Sequence, residues 1–381
     1  MKSNDSENNR IVFISNTSWS MYNFRMDVMK MFVGLGMEVY VLAPEDNYAN
    51  RFALHGISFM KVSHLNPQGV SLYEDFSLFQ ELLQLLRNIR PAIVFSYTIK
   101  PNIYAVMAAS RIGIPAIAVI TGLGHAFSKK GMLAAVVKKM YRLSLRRARN
   151  AWFLNTDDYD YFTRNKLVNK NKSFALPGEG VNTDFFKRKV PYPNCATTKF
   201  LYAGRLLYTK GVGVFIDAIR LLRERGCAVV GELVGFTDTL NPSAISFETV
   251  RQWESEGVVR YLGSTDDVRP FIEQTNCFVF PSYYNEGIPR CLMEAASMEI
   301  PIITTDNVGC REVVDNGKTG FLCKIKDVES VADAMQRLIG LDINQRKLMG
   351  QHGREKMISE FSIARVLRIY NDAANEVMQK A

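Results

Sequence analysis

The stretch PSYYNEGIPRCLMEAA, residues 281–296, decides the fold and the candidate site of this chain. The apolar run CFVF at 277–280 precedes it and predicts a buried strand. The residues YNEG then indicate a loop, and Pro289 is well placed to start a helix. This strand–loop–helix unit carries two carboxylates, with Glu286 in the loop and Glu294 inside the helix.

The backbone of the predicted loop also favours binding of an anion. The N–H groups of Gly287 and Ile288 would point into the same space as the two carboxylates. Because a helix N-terminus carries partial positive charge, a phosphate-bearing ligand with hydroxyl groups on both sides would fit there. The same residues are also compatible with a solvated loop Glu286 and a surface helix Glu294, so the pair alone does not decide between the two interpretations.

The spacing of the two carboxylates separates two kinds of chemistry. Glycosidases place two carboxylates about 5–9.5 Å apart across one bond. Eight residues of continuous helix would span about 12 Å. The wider separation favours one carboxylate at each end of an extended ligand, such as a nucleotide-sugar.

Length and periodicity predict two domains. The chain has 381 residues, of which 47% are hydrophobic and 22% charged. Apolar strands alternate with helices, which indicates two doubly wound α/β domains with parallel sheets, facing across a cleft at their strand ends. We expect the first domain at residues 1–185 and the second at 186–361, with a final helix at 362–381 that packs back on the first.

The net charge of +9 is unevenly placed. Residues 1–185 have a net charge of +8 and residues 186–381 a net charge of +1, and no Asp or Glu occurs between residues 82 and 156. Within 129–149, apolar residues alternate with eight cations, so this segment predicts a basic amphipathic helix. The cations are Lys129, Lys130, Lys138, Lys139, Arg142, Arg146, Arg147 and Arg149. A solvated helix face, a nucleic-acid site and an anionic lipid surface compete as interpretations, and we favour lipid. We expect no nucleic acid, since no recognised binding motif accompanies the charge.

Other sequence features limit the compartment. The six cysteines form no C-x-x-C pair, which favours reduced thiols in the cytoplasm. The first nine residues, MKSNDSENN, are polar, so we expect no secretion signal. The longest nearly apolar run, 112–123, contains Pro115 and is too short to span a bilayer. Any membrane contact is therefore expected to be peripheral.

Further polar groups follow predicted strands. In GRLLYTKG at 204–211, Arg205 and Lys210 could hold a diphosphate, or they could be ordinary surface cations. His125 follows TGLG at 121–124 and could contact a sugar or move a proton, or be a simple loop histidine. The triplet DYD at 158–160 follows Asn155 and Thr156, and its acids are expected to cap a helix.

In combination, these motifs resemble the retaining glycosyltransferases of family 4. The resemblance is carried by GRLLYTKG, by Glu286 and Glu294, and by GVNTDF at 180–185. It implies the GT-B architecture, a UDP-sugar donor, retention at the anomeric carbon and no metal, so that DYD would not be a manganese site. It further implies that Arg205 and Lys210 bind the diphosphate, Glu286 holds the donor sugar beside Gly287 and Ile288, and Glu294 binds the ribose hydroxyls.

Within that family, four shorter motifs are similar to enzymes of O-antigen and capsule synthesis. They are YNFRM at 22–26, TGLG at 121–124, NPS at 241–243 and RYLG at 260–263. The implied acceptor is a saccharide linked to polyprenyl diphosphate, with Asn16, Arg25 and Lys100 as candidate acceptor-binding residues. The enzyme would then attach to the inner face of the cell membrane through 129–149. The chain departs from many members in its first loop, NTSWSM at 16–21, which has no glycine.

The resemblance suggests a reaction without a side-chain nucleophile. The catalytic group would be Arg205, Lys210 and Glu286, with His125 as a further candidate. The cations would stabilise charge on the departing diphosphate while the acceptor attacks from the same face. Because fold does not fix function, a UDP-sugar epimerase and a non-catalytic scaffold that binds lipid and nucleotide remain as alternatives.

Overall fold

The computed structural model of the chain describes residues 9–66, 69, 71–122, 132–194, 196–238 and 241–379. The chain divides into two compact units: unit 1 contains Met1–Glu179 and Ala364–Ala381, and unit 2 contains Gly180–Ile363. The predicted boundary after residue 185 is therefore six residues late. The segment after Gly180 belongs to unit 2 because Val181 pairs with Ser362 and Phe186 is buried in the core of that unit.

Unit 1 contains a parallel sheet with strand order β3-β2-β1-β4-β5-β6-β7 in the described residues. Nearly all its strand residues are buried in β1, β4 and β5, as expected for a sheet covered on both faces. The strands are β1 Arg10–Ile14, β2 Glu38–Ala43, β3 Ile57–Lys61, β4 Ile93–Tyr97, β5 Ala116–Ile120, β6 Asn150–Phe153 and β7 Ser173–Ala175.

Helices connect these strands, and each connecting helix begins at the carboxyl edge of the sheet. Short 3-10 turns lie at 49–51, 53–55 and 170–172. The α-helices are α1 Ser18–Gly34, α2 Leu72–Ile89, α3 Ile99–Arg111, α4 Met132–Leu145 and α5 Thr156–Arg164. None of the described helices of the chain is both long and apolar enough to cross a bilayer.

The last helix, α13 (Ile363–Met378), packs within unit 1, to which the sequence analysis assigns it. The ring of Tyr370 lies 4.9 Å from the ring centroids of both Phe95 and Trp152. Its hydroxyl is hydrogen-bonded to the hydroxyl of Tyr97 at 2.9 Å. The aromatic core of unit 1 is therefore completed by the carboxyl-terminal end of the chain.

Unit 2 contains a second parallel sheet, with order β10-β9-β8-β11-β12-β13. Its strands are β8 Thr198–Ala203, β9 Val229–Val234, β10 Val259–Tyr261, β11 Cys277–Phe280, β12 Ile302–Thr305 and β13 Gly320–Cys323. Its α-helices are α6 Val212–Glu224, α7 Phe247–Ser255, α8 Arg269–Glu273, α9 Arg290–Ser297, α10 Cys310–Val313, α11 Val328–Gly340 and α12 Ile343–Glu360.

Strand order places a topological switch point in each unit. In unit 2, β8 and β11 are neighbours at the centre of the sheet. The chain continues from β8 to β9 on one side and from β11 to β12 on the other. Open α/β sheets bind ligands at the carboxyl ends of the strands beside such a point. The loops 204–211 and 281–289 leave β8 and β11 at this place.

Several elements are present that the apolar pattern does not predict. They are β3, β13, α7 and α12. In α12 the apolar stripe is interrupted by Gly350, where a Cβ atom would lie 2.0 Å from the carbonyl oxygen of Glu299. A capping box formed by Asp342 and Gln345 starts this helix instead.

Candidate active site

The loop that follows β8 packs directly against the loop that follows β11. Gly211 ends the first loop with a φ of +81°, and a Cβ atom there would lie 2.1 Å from the carbonyl oxygen of Pro281. The backbone N–H groups of Tyr283 and Tyr284 both donate to the carbonyl oxygen of Thr209 at 3.1 Å. The two motifs recognised separately in the sequence therefore form one rigid arrangement at the switch point.

Lys210 and Glu286 form an ion pair within this arrangement. Their side chains are only 11% and 12% exposed, and Ser282 Oγ donates to Glu286 Oε1 at 3.1 Å. Lys210 Nζ also lies 5.2 Å from the ring centroid of Tyr284. The ammonium group is thus fixed in a largely dehydrated place, where its charge acts over a longer range than in water.

Arg205 lies on the same loop but is more accessible. Its Nη1 is 3.5 Å from Asp238 Oδ2, and the two side chains are 37% and 30% exposed. The loop after β9 carries Asp238 and is bonded to the Arg205 loop, since Ser243 accepts from the backbone of both Tyr208 and Thr209. A weak ion pair at the edge of the site leaves Arg205 able to turn toward an anionic ligand.

Two backbone donors face the start of α9. Among the described residues, none accepts a hydrogen bond from the N–H groups of Gly287 and Ile288. Helix α9 begins at Arg290, with Pro289 as the residue before its first turn, so the predicted helix start is one residue early. The two N–H groups lie where a helix terminus favours negative charge.

Residues after β12 hold this loop from behind, and the sequence analysis did not find them. Gly309 has a φ of +75°, and a Cβ atom there would lie 1.6 Å from the carbonyl oxygen of Gly287. The Asn307 side chain donates to the carbonyl oxygen of Tyr284 at 2.8 Å, and Thr305 Oγ1 donates to that of Ser282. The polar residues around the end of β12 could have indicated this role in the sequence. Their hydrogen-bond partners lie more than twenty residues away, so no local pattern identifies them.

Glu294 lies on the first turns of α9. Its Oε1 is 3.4 Å from Nε of Arg290, one helical turn earlier, and its side chain is 16% exposed. Burial raises the pKa of the Glu294 carboxyl above its usual range, against the opposing effect of Arg290, and Asp267 raises it further. Glu294 is therefore a recessed acceptor that can receive hydrogen bonds from hydroxyl groups.

The predicted acceptor-binding cations of unit 1 are engaged by acids. Arg25 is 4% exposed, forms an ion pair with Glu179 and lies 4.6 Å over the ring of Tyr97. Lys100 Nζ is 2.7 Å from Asp75 Oδ1. Both cations are therefore already paired with an acid within unit 1.

The loop at Asn16 is also closed by polar contacts of unit 1. Asn16 accepts from Ser15 Oγ at 3.5 Å. At the N-terminus of α1, Thr17 accepts from the N–H of Ser20, and the Asp46 carboxylate accepts from the N–H of Trp19 at 2.8 Å. Since an acid already occupies this helix terminus, the glycine-free loop is not built to receive a phosphate there.

The remaining predicted groups of unit 1 divide into two cases. His125 lies outside the described residues, as do Lys129 and Lys130. The DYD triplet lies at the start of α5, as predicted, but the capping residue is Asn155, which accepts from the N–H of Asp158, and Asp160 pairs with Arg164. Across the described ranges, no group of three or more potential ligands is arranged to hold a metal ion.

Helix α4 presents the predicted basic face. Lys139 and Arg142 of α4 and Arg146, directly after its end, are exposed, together with Val136 at 46% and Leu143 at 41%. No acidic side chain in the described part of the chain pairs with these three cations. The opposite face contains Tyr141, Ser144 and Leu145, which are buried against unit 1. Lys138 differs from the others, because its Nζ lies 5.5 Å from the ring centroid of Tyr161.

Comparison with known proteins identifies both halves of the chain. Residues 10–155 match the family described as "Glycosyl transferase 4-like", and residues 197–340 match "Glycosyl transferases group 1". The two matches fall in unit 1 and unit 2 respectively and together span most of the chain.

Individual relatives agree with these matches. The chain is 28% identical to the N,N'-diacetylbacillosaminyl-diphospho-undecaprenol alpha-1,3-N-acetylgalactosaminyltransferase of Campylobacter jejuni, over 87% of this chain and 89% of the relative. It is 24% identical to the UDP-Gal:alpha-D-GlcNAc-diphosphoundecaprenol alpha-1,3-galactosyltransferase of Escherichia coli, over 78% of this chain and 79% of the relative.

A solved structure shows the same fold. The crystal structure of HepE from Anabaena in complex with UDP and glucose has a TM-score of 0.76 and 14% identity, covering 96% of this chain and 99% of that chain. The order of two parallel-sheet units, the two family matches and the relatives all agree. The chain therefore belongs to the glycosyltransferases of the GT-B fold that join a 4-like amino-terminal half to a group 1 carboxyl-terminal half.

Proposed function

We propose that this enzyme transfers a hexose or N-acetylhexosamine from a UDP-sugar to a saccharide carried on a polyprenyl diphosphate, with retention at the anomeric carbon. The reaction would belong to the synthesis of a bacterial surface polysaccharide or glycan. The names of the Campylobacter and Escherichia relatives support this acceptor class. The observation that carries the proposal is the recessed Lys210–Glu286 pair beside Arg205 at the switch point of unit 2.

The charges of the site suit a departing diphosphate. When the bond from the anomeric carbon to the phosphate oxygen breaks, negative charge collects on the nucleotide. Lys210 and the N–H groups of Gly287 and Ile288 are fixed donors for this charge, and Arg205 can turn from Asp238 to join them. We propose that no metal ion is needed, because side-chain cations and a helix terminus already serve the diphosphate.

Retention follows if the acceptor attacks from the face that the diphosphate leaves. The sugar becomes oxocarbenium-like, a new bond forms from the acceptor oxygen to the anomeric carbon, and a diphosphate oxygen takes the acceptor proton. Glu286 is held by Lys210 and Ser282, which suits a residue that positions sugar hydroxyl groups. Glu294 would accept hydrogen bonds from the ribose hydroxyls at the far end of the donor.

We also propose that the enzyme attaches peripherally to the cytoplasmic face of the cell membrane through α4. Each Lys or Arg near an anionic surface contributes about 1 kcal/mol of attraction. Lys139, Arg142 and Arg146 lie on one exposed face with Val136 and Leu143, and no acid occurs between residues 82 and 156. Such a face would bring the enzyme to a lipid-linked acceptor.

One experiment separates this proposal from its alternatives. The protein is incubated with a panel of UDP-sugars, with and without a polyprenyl-diphosphate saccharide, and products are resolved by mass spectrometry and proton NMR. We expect transfer only when both substrates are present, with the anomeric configuration of the donor kept. Conversion of the UDP-sugar alone would show an epimerase, no reaction would show a scaffold, and an inverted product would overturn the mechanism.

A further inference from the structure

The first turns of α2 expose three large apolar side chains. Leu72 is 85% exposed, Tyr73 78% and Phe76 61%. Residues at these spacings lie on one side of a helix, so the three form a single apolar surface, which we call the α2 tip. Ser71 begins the helix by accepting from the N–H of Glu74.

Polarity at the tip is reversed relative to the rest of α2. Asp75 is turned inward, where it pairs with Lys100 and accepts from the hydroxyl of Tyr104. Further along the helix the usual pattern returns, because leucines are buried and glutamines are exposed. The buried leucines are Leu78, Leu82, Leu83 and Leu86, and the exposed residues include Gln80 and Gln84. If the outer face of α2 met only water, we would expect Asp75 on that face and Phe76 buried against unit 1.

The tip lies at the carboxyl edge of the unit 1 sheet. Helix α2 runs from the end of β3 back to the start of β4, so its first turn is at that edge. The Asp75–Lys100 pair joins this turn to the first turn of α3, which begins directly after β4. Helix α3 also packs against α4, so the tip and the cationic face of α4 belong to one layer of helices.

We propose that the α2 tip inserts into the interfacial region of an anionic bilayer and is a second membrane anchor beside α4. The inference rests on the proposed membrane attachment and adds a contact of different physical nature. A single weak anchor gives marginal binding, whereas two signals give stable attachment. Tyr side chains suit the boundary between head groups and acyl chains, where Leu and Phe can enter the apolar region.

Charge identifies the bilayer as the occupant. Asp75, one of the two acids in the first turn of α2, is turned inward, and α4, on the other side of α3 in the same layer, carries exposed cations. A surface that combines exposed apolar side chains with positive charge complements anionic lipid. A second copy of the chain would bring two positive surfaces together.

The two anchors respond differently to salt, which makes them separable. At 1 M salt the Debye length falls to about 3 Å, so attraction by α4 is screened while apolar insertion is not. We would sediment the full-length protein with vesicles of phosphatidylcholine and phosphatidylglycerol at 0.1 M and 1 M NaCl. The test variant is Leu72→Ser, Tyr73→Ser and Phe76→Ser. The matched control is Leu348→Ser and Ile358→Ser, which changes two exposed apolar residues of α12 in unit 2.

We expect the tip variant to lose at least about tenfold of the binding that remains at 1 M NaCl, because each buried apolar side chain contributes substantially. The α12 control should keep it. The variant Lys139→Gln, Arg142→Gln and Arg146→Gln should lose binding at 0.1 M but keep the salt-resistant part. Equal salt-resistant binding by the tip variant and the parent protein would overturn the inference.

Two further readouts complete the test. Tyr73→Trp should gain quenching by brominated lipids beyond that of the parent protein, and no gain would contradict insertion. Light scattering without vesicles should show the same mass for the parent and the tip variant, whereas a dimer lost in the variant would assign the tip to self-association. Transfer to a short soluble acceptor should be unchanged in the tip variant. If no transfer occurs in any variant, the proposed function fails, while the vesicle measurements still decide the role of the tip.

Discussion

Two groups of cations in this enzyme differ in how their charge is held. In unit 2, Lys210 is nearly buried and paired with Glu286, and Arg205 is paired with Asp238. On α4 of unit 1, Arg142 and its neighbouring cations are exposed within a stretch that contains no acid. Residue type is the same in both regions, and burial and pairing distinguish them.

The difference shows how structure selects the kind of anion. A cation held by a carboxylate and surrounded by protein has a defined position, so it can recognise a discrete group such as a diphosphate. Exposed cations on mobile side chains have no defined geometry, but their charges add over a surface. The loop 204–211 is therefore suited to binding one anionic group at a fixed position, and α4 to long-range attraction toward a charged surface.

The largest expected effect comes from removing the recessed ammonium group. Lys210→Ala should lower kcat by about 10²–10³-fold, which is typical of losing one fixed donor to a developing anion. Because Glu286 would be left without this partner, thermal unfolding must be followed as well. The control Lys318→Ala removes an exposed lysine of the same unit and should leave kcat unchanged. A small effect of Lys210→Ala would mean that Lys210, like the cations of α4, has no specific role in turnover.

The two glutamates should separate binding from turnover. Glu294→Gln should weaken UDP binding by about 10–150-fold, equivalent to the 1.5–3 kcal/mol of a charge-assisted hydrogen bond. Glu286→Gln should lower turnover at least tenfold while leaving UDP affinity nearly intact, since its proposed partner is the sugar. Calorimetry with UDP and initial rates with the UDP-sugar measure the two quantities. The opposite assignment would mean that the donor lies in the reverse orientation or that the motif is structural.

Acidification should weaken UDP binding through Glu294. Its carboxyl has a pKa raised above the ordinary 4.5 by burial, so it becomes protonated at a higher pH than an exposed glutamate. As pH falls through this raised pKa, the carboxylate acceptor is lost and affinity decreases, whereas folding stability gains from the same proton. The ratio of the affinities of the parent protein and Glu294→Gln should therefore approach one at low pH. A ratio independent of pH would contradict the role of the charge.

A smaller and salt-dependent effect is expected for α4. Lys139→Gln, Arg142→Gln and Arg146→Gln should reduce binding to anionic vesicles by up to about 3 kcal/mol at low salt, since each cation contributes about 1 kcal/mol. Transfer to a lipid-linked acceptor should slow more than transfer to a short soluble analogue. Vesicle sedimentation at several salt concentrations measures the first effect and paired rate measurements the second. Equal binding to neutral and anionic vesicles would mean that the cations of α4 form an ordinary solvent-exposed face with no role in lipid binding.

The smallest expected effect is that of a chelator. Excess EDTA should leave initial rates nearly unchanged, because in the proposed mechanism Arg205, Lys210 and a helix terminus bind the diphosphate. If EDTA abolished activity and manganese restored it, Asp158 and Asp160 would become candidate metal ligands.

Local pattern was enough to predict the frame of the fold. The run at 277–280 is apolar throughout and forms β11 at those residues, since a strand buried on both faces has no polar position. Helix α12 escaped prediction because its glycines pack against backbone, which removes the apolar periodicity. The short β13 begins at Gly320, where a Cβ atom would lie 2.0 Å from a carbonyl oxygen of β12.

Site residues could be predicted as types but not as pairs. Lys210 and Glu286 are 76 residues apart, and they meet only because β8 and β11 are adjacent in the sheet. Gly309 has a role only through its approach to the Gly287 carbonyl group, which no local pattern shows. Arg25 illustrates the reverse case, since this cation of α1, expected to bind the acceptor, is paired with Glu179.

The contribution of α13 to unit 1 has a consequence for the order in which the protein is made. Unit 2 is one contiguous segment, so all of its strands are synthesised before α13. Unit 1 begins first but lacks Tyr370 until unit 2 has been synthesised. The side chains that Tyr370 contacts, Phe95, Tyr97 and Trp152, therefore stay partly uncovered until then. We therefore expect the nascent chain to complete its second unit before its first, and ribosome-bound chains stopped before residue 364 to be the most prone to aggregation.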